Sequence, residues 1–312
     1  MILSAPALAL AAAITAQELS APGPSGDLRG TWTKASDPDA PVVLIIPGSG
    51  PTDRDGNSPL GIAANAYRLL AEGLAEVGVS TIRIDKRGMF ASAGDPNAVV
   101  IEDYVDDTRS WVGTIRERTG RPCVWLLGHS EGGLVALAAA GRDPNVCGLI
   151  LVAAPGRPMG EVLREQLHAN PANAPFLDEA DAAIDALTNG ERIDGDRLSE
   201  PLMPLFAPTL QGFLISAFAL DPAALAKSVD KPMLILQGES DLQVGLMDSR
   251  ALRATTPTAE FVLLADTNHV LKVAPPNDPA ANLRTYSDPD LPLAPGVVDA
   301  IRRFVATQER GD

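Results

Sequence analysis

The chain has 312 residues, 46% of them hydrophobic and 21% charged, the make-up of a globular protein long enough to bury a large core in one elaborated domain or two. Its formal net charge of −15 argues against nucleic acid and anionic membrane surfaces as partners, since neither supplies counter-charge.

The N-terminus, ILSAPALALAAAITAQELSAPGPSG, opens with an apolar stretch from Ile2 to Ala16 and runs into Pro, Gly and Ser. That pattern predicts a secretory signal peptide cleaved after Ala13 or Ala16, although the usual basic residue ahead of the apolar core is missing. The stretch falls short of the roughly 20 residues a spanning helix needs, so no stable membrane insertion is expected once it is removed. Residues 1–27 are therefore read as signal peptide plus flexible segment. The protein is read as exported and periplasmic, with a cytosolic enzyme carrying an N-terminal helix as the alternative.

From about Leu28 strand-like and helix-like stretches alternate, the pattern of a mostly parallel sheet with helices on both faces. A short strand near Arg29 to Lys34 is followed by PVVLIIPGSG, a buried strand ending in a Gly/Pro loop. The next helix carries Tyr67, Leu70, Leu74 and Val77 on one face and stops at Gly78. After the strand VSTIRIDKRG comes a helix around Glu102 to Arg118, acidic early and basic late, as the helix dipole favours. VWLLGHSEGGLVALAAAG reads as strand, sharp turn and small-residue helix, and GLILVAAP as the next strand. Residues 155–230 then break the alternation with helical pieces and read as a lid. The core, residues 28–154 and 231–312, resumes with the strands KPMLILQGESD and AEFVLLADTNH. A Pro-rich loop and a closing helix with Val298, Ile301 and Phe304 on one face complete it.

The chemistry centres on Gly128-His129-Ser130-Glu131-Gly132. A serine hydroxyl is a poor nucleophile until a turn lifts it toward a base and backbone donors, and Gly-x-Ser-x-Gly between a buried strand and a helix builds that turn. Asp241 follows one late strand and His269 the last, giving the order Ser130, Asp241, His269. His269 is read as base and Asp241 as its orienting acid, with Glu239 and Asp266 as nearby alternatives; His129 sits inside the turn and His168 in the lid. The expected oxyanion donors are the backbone N–H groups of Ser49, with Gly50 close behind, and of Glu131. Asp53 is expected either to pair with Arg87 and shape the loop at 47–57 or, with Arg54 and Asp55, to be a solvated loop charge. Lid residues Leu202, Met203, Leu205, Phe206, Phe213 and Leu214 either line an acyl pocket or pack the lid. Cys123 and Cys147 stand at the same end of two neighbouring strands, where a bridge and two buried free thiols are both open. No His/Cys/Asp cluster has metal-ligand spacing.

PGSGPTDRDGN at 47–57, GHSEGG at 128–133, GESDLQV at 238–244 and NHVLK at 268–272 together resemble the α/β-hydrolase superfamily, and within it bacterial lidded serine esterases. The resemblance implies an α/β-hydrolase fold with a helical lid inserted before the last two core strands. It also implies carboxylesterase activity on short acyl esters with no metal or organic cofactor. Met89 and Phe90 stand where that group tends to have small residues, which points to an altered pocket mouth, and Gly245 where proline is common. A peptidase, lactonase or thioesterase on the same triad is the runner-up, because one kind of tetrahedral intermediate serves them all. A non-catalytic binding protein on the fold is the rival from another class. The expected partner is a small-molecule ester; oligomeric state has no signal in the sequence.

Overall fold

The computed structural model describes residues 15–310. The predicted apolar leader therefore lies almost wholly outside the described residues. The strands are β1 (Thr15–Ala21), β2 (Leu28–Lys34), β3 (Val42–Ile46), the two-residue β4 (Asn57–Ser58) and β5 (Ile62–Ala63), β6 (Ser80–Ile84), β7 (Val124–His129), β8 (Val146–Val152), β9 (Met233–Gly238) and β10 (Glu260–Leu264). Eight of them form one sheet in the order β1-β2-β6-β3-β7-β8-β9-β10, while β4 and β5 pair separately. β1 and β2 pair antiparallel, as do β2 and β6, and every other neighbour in the large sheet is parallel.

β3 is buried at all five positions because both faces of the sheet are covered. Side-chain alternation sends Val42, Leu44 and Ile46 into one core and Val43 and Ile45 into the other. Helices α1 (Ala66–Glu76) and α11 (Val297–Gln308) cover the second face, Leu70 and Leu74 lying in the same cluster as Ile301 and Phe304. Val77, expected on the buried stripe of α1, is instead its exposed C-cap residue, since the helix ends one turn position earlier. Helices α2 (Ile101–Thr119) and α3 (Glu131–Ala140) cover the first face.

Between β8 and β9 come α4 (Met159–Ala169), α5 (Leu177–Thr188), the single turn α6 (Met203–Phe206), α7 (Gln211–Phe218) and α8 (Pro222–Ser228). Of the six apolar residues weighed there for an acyl pocket, Leu202 and Phe206 are buried in the main core cluster; Leu205, Phe213 and Leu214 pack against it half-buried. The insertion is pinned at its entrance, where the buried Asp248 carboxylate accepts from the backbone N–H groups of Gly156 and Arg157 and pairs with the Arg157 guanidinium at 2.7 Å. It is pinned again where the Ile101 N–H at the start of α2 donates to Ser216 Oγ at 2.9 Å. After β9 come α9 (Leu246–Thr255) and the short α10 (Pro279–Arg284) within the Pro-rich loop.

Two expectations at the periphery are resolved. Residues 15–21 are not a flexible continuation of the leader but an edge strand, with Leu19 and Ala21 buried against β2. Cys123 and Cys147 form a disulfide across a Cα–Cα distance of 5.1 Å, because parallel pairing of β7 with β8 puts both strand starts side by side.

Candidate active site

Every residue of β7 is buried up to the point where the chain turns into α3. That turn is so tight that a Cβ on Gly128 would lie 2.2 Å from the Gly132 carbonyl oxygen. One on Gly132 would lie 2.3 Å from that of Ile46. Only glycine lets α3 approach β3 and β7 this closely. Ser130 occupies the apex with φ 53° and ψ −127°, a conformation that costs of order 1–3 kcal/mol in a non-glycine residue. The surrounding bonds hold it there: Ser130 N–H donates to Val152 O at 3.0 Å and Gly133 N–H to Ser130 O at 2.8 Å.

Asp241 and His269 arrive from beyond the ends of the last two strands, β9 and β10, as parallel sheets place ligand-facing loops at their C-terminal edge. His269 Nδ1 lies 2.8 Å from Asp241 Oδ2, and both side chains are buried. The other carboxylate oxygen, Oδ1, accepts from the backbone N–H groups of Gln243 at 2.8 Å and Val244 at 3.0 Å, and Gln237 Nε2 approaches Oδ2 at 3.4 Å. A carboxylate with these donors is fixed in place and puts the imidazole proton on Nδ1, leaving Nε2 as acceptor. The structure makes no hydrogen bond between His269 and Ser130 Oγ. Glu239 is exposed, and Asp266 has no hydrogen bond to an imidazole, so neither replaces Asp241.

The loop after β3 runs past Ser130 so closely that a Cβ on Gly48 would come within 3.2 Å of Ser130 Cβ. Among the described residues, the backbone N–H groups of Ser49 and Glu131 have no protein acceptor. Glu131 follows Ser130 in sequence and Ser49 follows Gly48, the residue closest to Ser130 in this loop, so both N–H groups are available as hydrogen-bond donors.

Sequence reasoning missed the side chains beneath this loop. Tyr67, assigned only to the apolar face of α1, accepts from Gly48 N–H at 3.1 Å through Oη and lies 2.8 Å from His129 Nδ1. His129 Nε2 lies 2.8 Å from the His269 carbonyl oxygen. A carbonyl only accepts, so Nε2 carries the proton and Nδ1 receives the Tyr67 hydroxyl. Burial, with His269 adding a smaller repulsion, pushes the His129 pKa down to about 3. Burial likewise pushes the Tyr67 phenol upward. Both groups are therefore neutral near pH 7, and the hydrogen bonds run unbroken from the loop after β3 to the backbone of His269. A buried polar hydroxyl on an otherwise apolar helix face was the available signal.

The expected Asp53–Arg87 pair does not form. Asp53 closes its own turn by accepting from the N–H groups of Asp55 and Asn57 at 2.8 Å. Arg87 reaches Asp103 and Asp107, which share one face of α2 at i,i+4 spacing. Arg54 takes the role given to Arg87, with two nitrogens on Asp85 and a third on Glu18 of β1. Asp55 pairs with Arg83. Phe90 is exposed at φ 50° in the turn after Lys86. Among the described residues no cluster of three or more His, Cys, Asp or Glu is placed to hold a metal ion.

The chain is 29% identical over 246 residues to esterase EstD of Thermotoga maritima, which covers 77% of this chain and 57% of that relative. The chain thus spans a little over half the length of this curated relative. Among solved structures, Est1E from Butyrivibrio proteoclasticus superposes with a TM-score of 0.59 at 16% identity, covering 94% of this chain and 99% of that one. The Pyrococcus furiosus esterase Pf2001 does so with a TM-score of 0.58 at 14% identity, covering 94% and 93%. These likenesses establish a shared α/β-hydrolase fold. The family described as serine aminopeptidase, S33 (Hydrolase_4), matches residues 60–271, more than half of the chain including the elbow, the acid loop and the last histidine, and the chain belongs to that family of α/β-hydrolases.

Proposed function

We propose that the protein is a serine carboxylesterase in which Ser130 is the nucleophile, His269 the general base and Asp241 the residue that holds the imidazole. The observations that carry this reading are the 2.8 Å contact between His269 Nδ1 and the buried Asp241 carboxylate and a serine held at positive φ on a strand-to-helix elbow. Ser130 Oγ attacks the ester carbonyl as His269 Nε2 takes its proton, and the same imidazolium then protonates the leaving alkoxide. A water activated by His269 hydrolyses the acyl-enzyme. The negative oxygen of each tetrahedral intermediate rests on the N–H groups of Ser49 and Glu131.

The family's description favours a second reading, an aminopeptidase. Such an enzyme needs a free carboxylate for the substrate's terminal ammonium. Of the carboxylates near the elbow, Asp53 is committed to backbone donors, Asp55 to Arg83, Asp85 to Arg54 and Glu131 to Lys86, while Glu239 and Asp266 are exposed and, among the described residues, carry no ion pair. The similarity to EstD, an esterase, supports esters as the first substrates to try. The helical insertion is the lid in this account. Export to an oxidising compartment is supported by the Cys123–Cys147 bridge, which such a compartment preserves. Turnover of p-nitrophenyl acetate through decanoate, beside aminoacyl p-nitroanilides, tests the reading. Short esters should be the best substrates, and preferential cleavage of the anilides would replace the esterase with the peptidase.

A further inference from the structure

The serine-hydrolase reading uses the backbone of Ser49 and Glu131 but leaves unexplained a buried ion pair directly behind them. Lys86, at the end of β6, is buried, and its Nζ donates to Gly48 O at 2.7 Å and lies 3.4 Å from Glu131 Oε1. Glu131 is buried as well, at the first position of α3, where the helix dipole favours a carboxylate. A buried pair of this kind rarely stabilises a fold beyond what apolar residues of equal volume achieve. Its position gives it another use.

Gly48 O and the Ser49 N–H belong to one peptide plane. A planar trans peptide points its carbonyl and its N–H in opposite directions, and the described chain has no cis peptide bond. A cation gripping the Gly48 carbonyl therefore turns the Ser49 N–H away from Lys86. The same hydrogen bond, being charge-assisted, polarises that peptide and strengthens its N–H as a donor. The neighbouring peptide is held independently by the Gly48 N–H bond to Tyr67 Oη. Glu131 supplies the second expected donor with its backbone and touches Lys86 with its side chain, so one ammonium group ties both halves of the oxyanion hole together.

We propose that Lys86 is the positioning residue of the oxyanion hole, aiming the Ser49 N–H through the Gly48 carbonyl, and that the Glu131 carboxylate holds the Lys86 ammonium in place. This inference rests on the assignment of Ser130 as nucleophile. It also makes Glu131 bifunctional, since its backbone meets the intermediate while its side chain organises the opposite donor.

The test compares wild type with Lys86→Met, Lys86→Arg and Glu131→Gln. Two readouts are taken: steady-state hydrolysis of a p-nitrophenyl ester, and inhibition by an aryl trifluoromethyl ketone, which adds to a reactive serine to form a hemiketal oxyanion. Lys86→Met should lower kcat by about 10²-fold, as loss of one aligned donor does. Its KM should stay within about threefold of wild type, because the lost interaction belongs to the transition state. The ketone's Ki should rise by the same factor as kcat/KM falls. Glu131→Gln should move both readouts together by about tenfold. Lys86→Arg, which restores a cationic donor, should recover part of the loss. A kcat/KM for Lys86→Met within about threefold of wild type overturns the proposal. So does a loss of kcat/KM with unchanged ketone affinity, the mark of a purely structural lysine. If Lys86→Met does not fold, Glu131→Gln decides: parallel losses in the two readouts support the proposal and wild-type values overturn it. A wild type that hydrolyses no ester and binds no ketone fails the Ser130 assignment and this inference with it. An active wild type with unaltered variants fails this inference alone.

Discussion

His129 makes the stability of the fold depend on pH in a way that can be calculated. In the folded protein burial holds its pKa at about 3, against an unperturbed value near 6.5. The unfolded chain therefore binds a proton at this residue below pH 6.5 that the native state refuses until about pH 3. More protons bound in the unfolded state means stability rises with pH across that window. The contribution is complete above pH 6.5, declines on acidification, and reaches its floor near pH 3. Between pH 7 and pH 5 the linkage amounts to about 2 kcal/mol from this one group. The structural cause is specific: protonated Nδ1 ceases to accept from Tyr67, and an added charge has no carboxylate partner in direct contact. The assay is urea unfolding at pH 7, 6 and 5 with the disulfide intact, wild type beside His129→Gln. The glutamine does not titrate and retains a donor toward the His269 carbonyl. Acidic groups elsewhere affect both proteins alike, so the wild type should lose about 2 kcal/mol more than the variant over this range. Parallel losses in the two proteins would refute the assignment of His129 as a buried neutral link between Tyr67 and His269.

Replacing Asp241 by Asn should lower kcat by about 10⁴-fold in the ester assay, since an amide no longer enforces the Nδ1–H tautomer of His269. The Gly132→Ala variant, whose Cβ would lie 2.3 Å from Ile46 O, should lose both activity and about 3 kcal/mol of stability by urea titration. Removing the disulfide with paired Cys123→Ser and Cys147→Ser changes should cost about 3 kcal/mol, given the sequence separation of 24. Neither cysteine of the unreduced wild type should take up iodoacetamide, as mass spectrometry will report. Arg157→Met should cost about 3 kcal/mol in the same unfolding assay, because it leaves the fully buried Asp248 carboxylate with backbone donors only.

The parts of the fold that were legible are those written in local sequence. Apolar runs such as VVLII and VWLLGH announce strands buried on both faces, and the glycines around Ser130 announce a turn in which no Cβ fits. The order Ser130, Asp241, His269 follows from strands ending where a parallel sheet gathers its loops. What local sequence could not settle is partner choice among charges. Asp53, Arg54 and Asp55 are consecutive, yet one closes a turn, one crosses to Asp85 and Glu18, and one meets Arg83. Sheet order decides these pairings, since β6 and β1 come near the loop only after assembly. Residues 15–21 read as a flexible tail for the same reason. Their polar alternation is that of an exposed edge strand, meaningful only once β2 is beside it. Tyr67 and Lys86 were passed over because each has an ordinary structural use, as a core aromatic and a strand-end charge. Their importance lies in a single atom, Oη or Nζ, brought to Gly48 by tertiary packing.

The most direct test of the central claim is covalent: treatment of the folded protein with a fluorophosphonate, followed by mass spectrometric mapping of the adduct. A single stoichiometric adduct on Ser130, absent from Ser130→Ala and from His269→Ala, is the predicted result. An unmodified protein, or an adduct on any other residue that persists in Ser130→Ala, would contradict it.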